Sequence, residues 1–230
     1  MNTKLKTRAD EDSEDDFQSG EVLDFYTSAD TTYTHEVPID EPIVSPSYYR
    51  KIVQLLRKSS PNDLIIFEIN SPGGFLSGLN TLLEAIKITE ATTVAYIVGT
   101  CASAAGILAL HCDDVIVGDG CDFLAHHVSY GTSGRGSDIM SHTQHVARTS
   151  EKLIRETYAG FLSDTEITEL LAGRQIYFDA DDVRERLANR EEFRIAEMEK
   201  EDEEFAKIQA VLEEQVKPKK PSRKKAAPKE

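Results

Sequence analysis

Between Asp63 and Val128 short apolar runs alternate with segments of helical spacing, and few architectures accept that order. DLIIFEIN (63–70) is rich in Ile and bounded by SPND and SPGG, so it reads as a buried strand. Leu79, Leu82, Leu83 and Ile86 follow at i, i+3, i+4 and i+7, which is one face of a helix. TTVAYIV (92–98) reads as a strand and SAAGILALH (103–111) as a short helix. DVIVGD (114–119) and FLAHHV (123–128) read as two more strands. Alternation of this kind predicts an α/β layer architecture with a mostly parallel sheet and right-handed crossovers.

Flanking segments extend the pattern. PSYYRKIVQLL (46–56) has helical apolar spacing, and a long helix is expected from Ser137 to Leu162. Val146, Leu153, Ile154, Thr157 and Phe161 would form its apolar stripe. SDTE (163–166) is a capping-box sequence, and DADD (179–182) opens another helix in a similar way.

The ends are of a different character. Apolar residues make up 40% of the chain, and DEDSEDD (10–16) and KPKKPSRKKAAPKE (217–230) hold almost none. Neither can bury enough apolar surface to offset its ordering entropy, so both are expected to be disordered. The expected division is an acidic segment over 1–36, a folded domain over 37–190, a charged helical extension over 191–216 and a basic tail over 217–230.

The net charge is −15 although residues 217–230 hold seven Lys or Arg. A folded part this acidic argues against nucleic acid as a partner. Cys101, Cys112 and Cys121 are odd in number and lack CxxC or Cys/His metal spacing. They fit a reducing compartment, and neither a metal nor another cofactor is expected. The first residues, MNTKLKTRADED, hold no apolar run, and no run approaches the ~20 residues of a spanning helix. A cytoplasmic protein without a membrane partner is expected.

Three features in order carry potential chemistry. INSPGGFLSG (69–78) sets adjacent glycines directly after a buried strand. Ser103 lies where a strand gives way to a helix, among Ala102, Ala104, Ala105 and Gly106. AHHVSYG (125–131) sets a His pair after a further strand. Acyl transfer needs these parts: a hydroxyl nucleophile, a base to take its proton, and backbone N–H groups aimed at the oxyanion. A Gly-Gly edge can turn its amides into a site, and a serine at a helix start places the next amide beside the oxyanion. All three follow strands, so all can open at one edge of a parallel sheet. The G-x-S-x-G elbow motif of the α/β-hydrolases is absent. Cys101, without an evident base, reads as a small buried residue.

INSPGG, GTCASAAGILAL (99–110) and FLAHHVSYGTSGRGSDI (123–139) together resemble the Clp protease proteolytic subunit family of serine peptidases, over roughly residues 36–188. The resemblance implies a crotonase-like α/β fold and homo-oligomeric, stacked rings. It also implies polypeptide substrates fed by an AAA+ unfoldase. It makes Ser103 the nucleophile and His126, rather than His127, the general base, with the amides of Gly74 and Ala104 as oxyanion donors. GTSGRGSD (131–138) resembles the family's substrate-flanking, ring-contacting strand. An extended peptide would then lie between Gly131–Gly134 and the Gly73–Phe75 edge. The helix after it resembles the handle that packs rings together.

One departure stands out. Where the family places an Asp before its next helix, LLAGRQIYFDADDV (170–183) aligns Gln175. Gln can orient an imidazole but brings no full negative charge. Asp179 or Glu169 would be the substitutes. The family's closing Gly-hydrophobic-hydrophobic-Asp is likewise replaced by RLANRE. The chain thus resembles a divergent member, such as a viral or specialised paralogue. Two other readings share these features: a non-catalytic assembly subunit of the same fold, and a crotonase-type acyl-CoA enzyme.

Overall fold

A computed structural model describes residues 31–216. The acidic stretch 10–16 and the basic tail lie outside them. The described elements begin with β1 (Thr34–Ile39), a short 3-10 turn (Pro46–Tyr49), α1 (Arg50–Lys58), β2 (Leu64–Ser71) and α2 (Leu76–Ile88). They continue with β3 (Thr92–Ala102), α3 (Ala104–Leu110), β4 (Asp114–Val117) and β5 (Asp122–Ala125). The last are α4 (Gly136–Tyr158), α5 (Asp164–Leu171), β6 (Ile176–Phe178) and α6 (Ala180–Val216).

The sheet runs β1-β2-β3-β5-β6, and β4 also pairs with β3. Every pairing is parallel except β5 with β6, as the alternation of strands and helices predicts. β3 serves two partners on one edge: Val94–Ile97 pair with β4, and Thr100–Ala102 pair with β5. The core lies on one face. Ile65, Phe67 and Ile69 of β2 are fully buried with Ala95 and Ile97 of β3 against Leu79 and Leu82 of α2 and Leu108 of α3. Residues on the other face are less covered: Ile66 and Glu68 are half-buried, and Val98 and Ile116 are 41% and 51% exposed. Parallel sheets are ordinarily covered on both faces.

Several elements depart from expectation. β1, which the sequence reading passed over, pairs with β2 from Thr34 onward, and Asp63 ties its start by accepting the Tyr33 amide at 2.9 Å. FLAHHV is a strand only to Ala125. β3 ends at Ala102, and the Ser103 amide takes the Leu124 carbonyl at 2.9 Å, so β5 has no parallel neighbour beyond Leu124. The two histidines therefore follow the strand. The Gly131–Gly134 segment likewise forms no strand. α4 stops at Tyr158 rather than Leu162, because Gly160 at φ 74° opens a turn in which Phe161 and Leu162 bond back to Tyr158. Only the second half of α4 is buried, through Ser150, Ile154, Thr157 and Tyr158.

The capping box at Ser163 and Glu166 forms in full. Asp179 caps α6 by accepting the amides of Asp181 and Asp182, both at 3.0 Å. The helix opened by DADD and the charged extension are one helix, not two segments. Glu166 also receives Arg186 at 2.7 Å, and the same guanidinium stacks 4.4 Å over Phe178 and bonds the Phe161 carbonyl. This network fastens α6 to α5. No described helix is long and apolar enough to cross a membrane.

Candidate active site

The local fold at Ser103 is set by a chain reversal. β3 ends at Ala102 and α3 begins at Ala104, so a single residue makes the turn. Ser103 does this at φ 57° and ψ −121°, and no other non-glycine residue among those described has a positive φ. Such a conformation costs roughly 1–3 kcal/mol and persists only where the surroundings enforce it. The enforcement here is backbone packing. The Ser103 amide is held by Leu124 O, and its carbonyl accepts the Ile107 amide at 3.1 Å. Gly73 closes the other side. A Cβ on Gly73 would stand 2.5 Å from Ala102 O and 2.8 Å from both Ala104 N and Ser103 Cβ. The Gly-Gly edge and the serine, 30 residues apart, are thus in backbone contact.

Gly74 is held from the opposite side. Ile43 N–H donates to Gly73 O and Phe75 N–H donates to Ile43 O, both at 2.7 Å, forming an isolated parallel bridge of Ile43 with Gly74. A bridging segment points alternate amides in opposite directions. With Gly73 O and Phe75 N turned to Ile43, the Gly74 amide points the other way. It makes no hydrogen bond among the described residues, and Ala104 N lies in the first turn of α3, whose amides lack intrahelical partners. The Gly74 and Ala104 amides are thus both without a partner among the described residues, and the Ala104 amide directly follows Ser103. Phe75, 65% exposed, stands beside them.

The base side is built differently. His126 follows β5 directly and is half-buried. Partial burial holds its imidazole below the ordinary histidine value, and the adjacent His127 adds to this, while contact with the His127 backbone opposes it. His127 turns to its own chain, with Nδ1 at 3.0 Å from Val128 O. In the antiparallel pair of β5 and β6, Ala125 stands opposite Ile176. His126 directly follows β5 and Gln175 directly precedes β6, so the two lie at the same end of this strand pair.

The contacts of this state do not complete the array. Gln175 is exposed, and its Oε1 accepts from Tyr177 Oη at 3.1 Å. No hydrogen bond joins Ser103 Oγ to His126 among the described residues. Asp179 is committed to capping α6, and Glu169 to an ion pair with Arg174. Gly131 and Gly134 are exposed with open space around them. Cys101 is wholly buried, and desolvation pushes its thiol well up, which removes it as a nucleophile. Burial also raises Cys112 to about 12 and Cys121 to about 11. Among the described residues no three His, Cys, Asp or Glu are grouped to hold a metal. The sequence reading quoted Asn70 and Ser71 within its motif without assigning them a part. Both make long-range hydrogen bonds here.

A strained serine elbow, a Gly-Gly edge packed on it and a histidine at the end of the next strand match the order of motifs in the sequence. A family model described as Clp protease matches residues 26–186, well over half of the chain. The chain belongs to the Clp protease family, a family of peptidases, and its mixed α/β fold with a mostly parallel sheet is the fold of that family.

Proposed function

We propose that the chain is a serine endopeptidase acting on unfolded polypeptides. Ser103 is the nucleophile, His126 the general base, and the Gly74 and Ala104 amides the oxyanion donors. The observation that carries this reading is Ser103 at φ 57°, packed against Gly73 of the Gly-Gly edge and followed by the unpartnered Ala104 amide. Strain of that kind gathers at sites where it serves the chemistry.

In the first half-reaction Ser103 Oγ attacks the scissile carbonyl while His126 takes the hydroxyl proton. The carbonyl oxygen becomes an oxyanion between the two amides. Collapse breaks the C–N bond, and His126 returns the proton to the leaving amine. Water then repeats the sequence on the acyl-enzyme. The Gly73–Phe75 edge suits an extended peptide, with the Gly131–Gly134 segment on its far side.

The half-covered sheet face with Val98 and Ile116 supports assembly into homo-oligomeric rings, because a parallel sheet needs a cover. We assign ATP dependence to an AAA+ unfoldase partner on the family's pattern, and we put the protein in the cytoplasm on its unpaired cysteines.

Labelling with a fluorophosphonate tests the reading. Wild type should label and hydrolyse a peptide, and Ser103→Ala should do neither while assembling as wild type does. Equal labelling of both would sink the assignment. A second reading, a non-catalytic assembly subunit, is favoured by one observation: Gln175 is engaged with Tyr177. Failure of wild type to label would select it.

A further inference from the structure

The two residues ahead of the Pro-Gly-Gly turn brace the site from both sides. β2 and β3 run in register to Ile69↔Ile97, after which Ser71 stands opposite Cys101, so β3 carries extra residues at this point. A ladder interrupted in this way leaves an amide without its partner. Asn70 supplies one: its Oδ1 accepts the Thr100 amide at 3.0 Å. The side chain lies against Gly99, where a Cβ would come within 2.6 Å of Oδ1. Asn70 thus fixes the last stretch of β3 just ahead of the Ser103 turn.

Ser71 does the corresponding task for the other side. It is wholly buried. Its hydroxyl donates to Glu41 O at 2.8 Å and accepts from the Gly73 amide at 3.2 Å. The Glu41 segment leads into Ile43, which pairs with Gly73 and Phe75. One side chain therefore holds both partners of the bridge that turns the Gly74 amide away from Ile43.

We propose that Asn70 and Ser71 are positioning residues that together fix the Gly74 amide against the Ser103 elbow. This rests on the peptidase reading above. Neither side chain need touch substrate. Loss of either lets the oxyanion donor drift relative to the nucleophile, and a displacement of about 1 Å costs on the order of a hundredfold in rate.

The experiment compares Ser71→Ala, Asn70→Ala and Asn70→Asp with wild type, each checked for a native thermal transition. The readouts are fluorophosphonate labelling rate, kcat and KM on one peptide, and amide hydrogen exchange across residues 73–75. Both Ala variants should lose about tenfold to a hundredfold in kcat and labelling rate with KM within about twofold. Asn70→Asp keeps the acceptor and should retain most of the rate. Ser71→Ala should also exchange the Gly73 and Phe75 amides at least about tenfold faster. Wild-type rates in both Ala variants would overturn the proposal, and so would unchanged exchange in Ser71→Ala. If wild type itself does not label, the peptidase reading fails. The exchange result then decides the brace alone. Asn70 is exposed, so its variants report even if Ser71→Ala does not fold.

Discussion

The two halves of the candidate site are built to different tolerances. On the nucleophile half the positions are set mainly by backbone, braced by the Asn70 and Ser71 side chains: Ser103 by Leu124 and Ile107, Gly73 by the elbow and the Ser71 hydroxyl, Gly74 by Ile43. On the base half, His126 and Gln175 hang from the ends of two short strands, and their side chains face no common partner. The difference teaches where change is cheap. Substitutions on the first half can only harm. The second half has room to improve, because its geometry is set by side chains rather than by packed backbone.

The sharpest way to break this contrast is Gly73→Ala. The added methyl would meet Ala102 O at 2.5 Å at a residue held at φ 87°. Backbone cannot yield there without moving Ser103, so peptidase activity should fall by at least about a hundredfold. Near-native activity would show that the nucleophile half is less rigid than its contacts imply.

Gln175→Asp probes the other half and should go in the opposite direction. If Gln175 holds the third position, a carboxylate there fixes the His126 tautomer and stabilises the imidazolium, so kcat should rise by roughly tenfold or more. A fall in kcat with intact assembly would place the third member elsewhere. The pH profile provides a second reading. Burial holds the His126 pKa below 6.5, so the neutral base persists into mild acid and the acid limb of kcat/KM should lie below pH 6.5. In Gln175→Asp the new negative charge raises that pKa and moves the limb upward.

Away from both halves, Glu166→Gln should cost about 1–2 kcal/mol of stability and leave kcat unchanged. The Arg186 hydrogen bonds, aided by Ser163, hold the Glu166 carboxyl at about 2. A depressed carboxyl stabilises the fold fully above its ordinary value of 4.5 and loses that contribution as pH falls through about 2. Urea titrations of both proteins at pH 7 and pH 3 should therefore differ more at pH 7. The smallest effect belongs to the extension. Among the described residues, ending the chain after Ala196 removes almost only exposed ones, and it should shift Tm by less than about 2 °C.

The strand and helix order was readable because β2 is a short apolar run between strong turn signals, and α2 has clean helical spacing. β1 was not, since THEVPI is buried on one face only at Val37 and Ile39 and carries a proline. Its strand character comes from pairing with β2 rather than from its own pattern. The site was legible in its parts but not in its strain. The G-x-S-x-G motif is absent, yet Ser103 makes a strained strand-to-helix turn. Alanines flank Ser103 in sequence, and the glycine that makes room for the turn arrives across space as Gly73. No local motif could announce that. The Tyr177 hydroxyl that engages Gln175 was equally invisible, because it depends on how β6 folds, whereas the cap that occupies Asp179 was written in DADD.

The long α6 has a mechanical consequence. Phe193 packs where Gly160 would carry a Cβ, and that contact clamps the helix to the α4–α5 turn beyond the last residue of the family match. From there to Val216 the helix is a rod about 35 Å long. Along its exposed surface, ion pairs such as Lys200 with Glu197 and Lys207 with Glu203 join successive turns of the helix. The rod works as a ruler: the chain that follows begins at a fixed remove from the domain, set by the number of helical residues. Adding or deleting one heptad would change that remove by about 10 Å while nearly preserving the direction in which the chain departs.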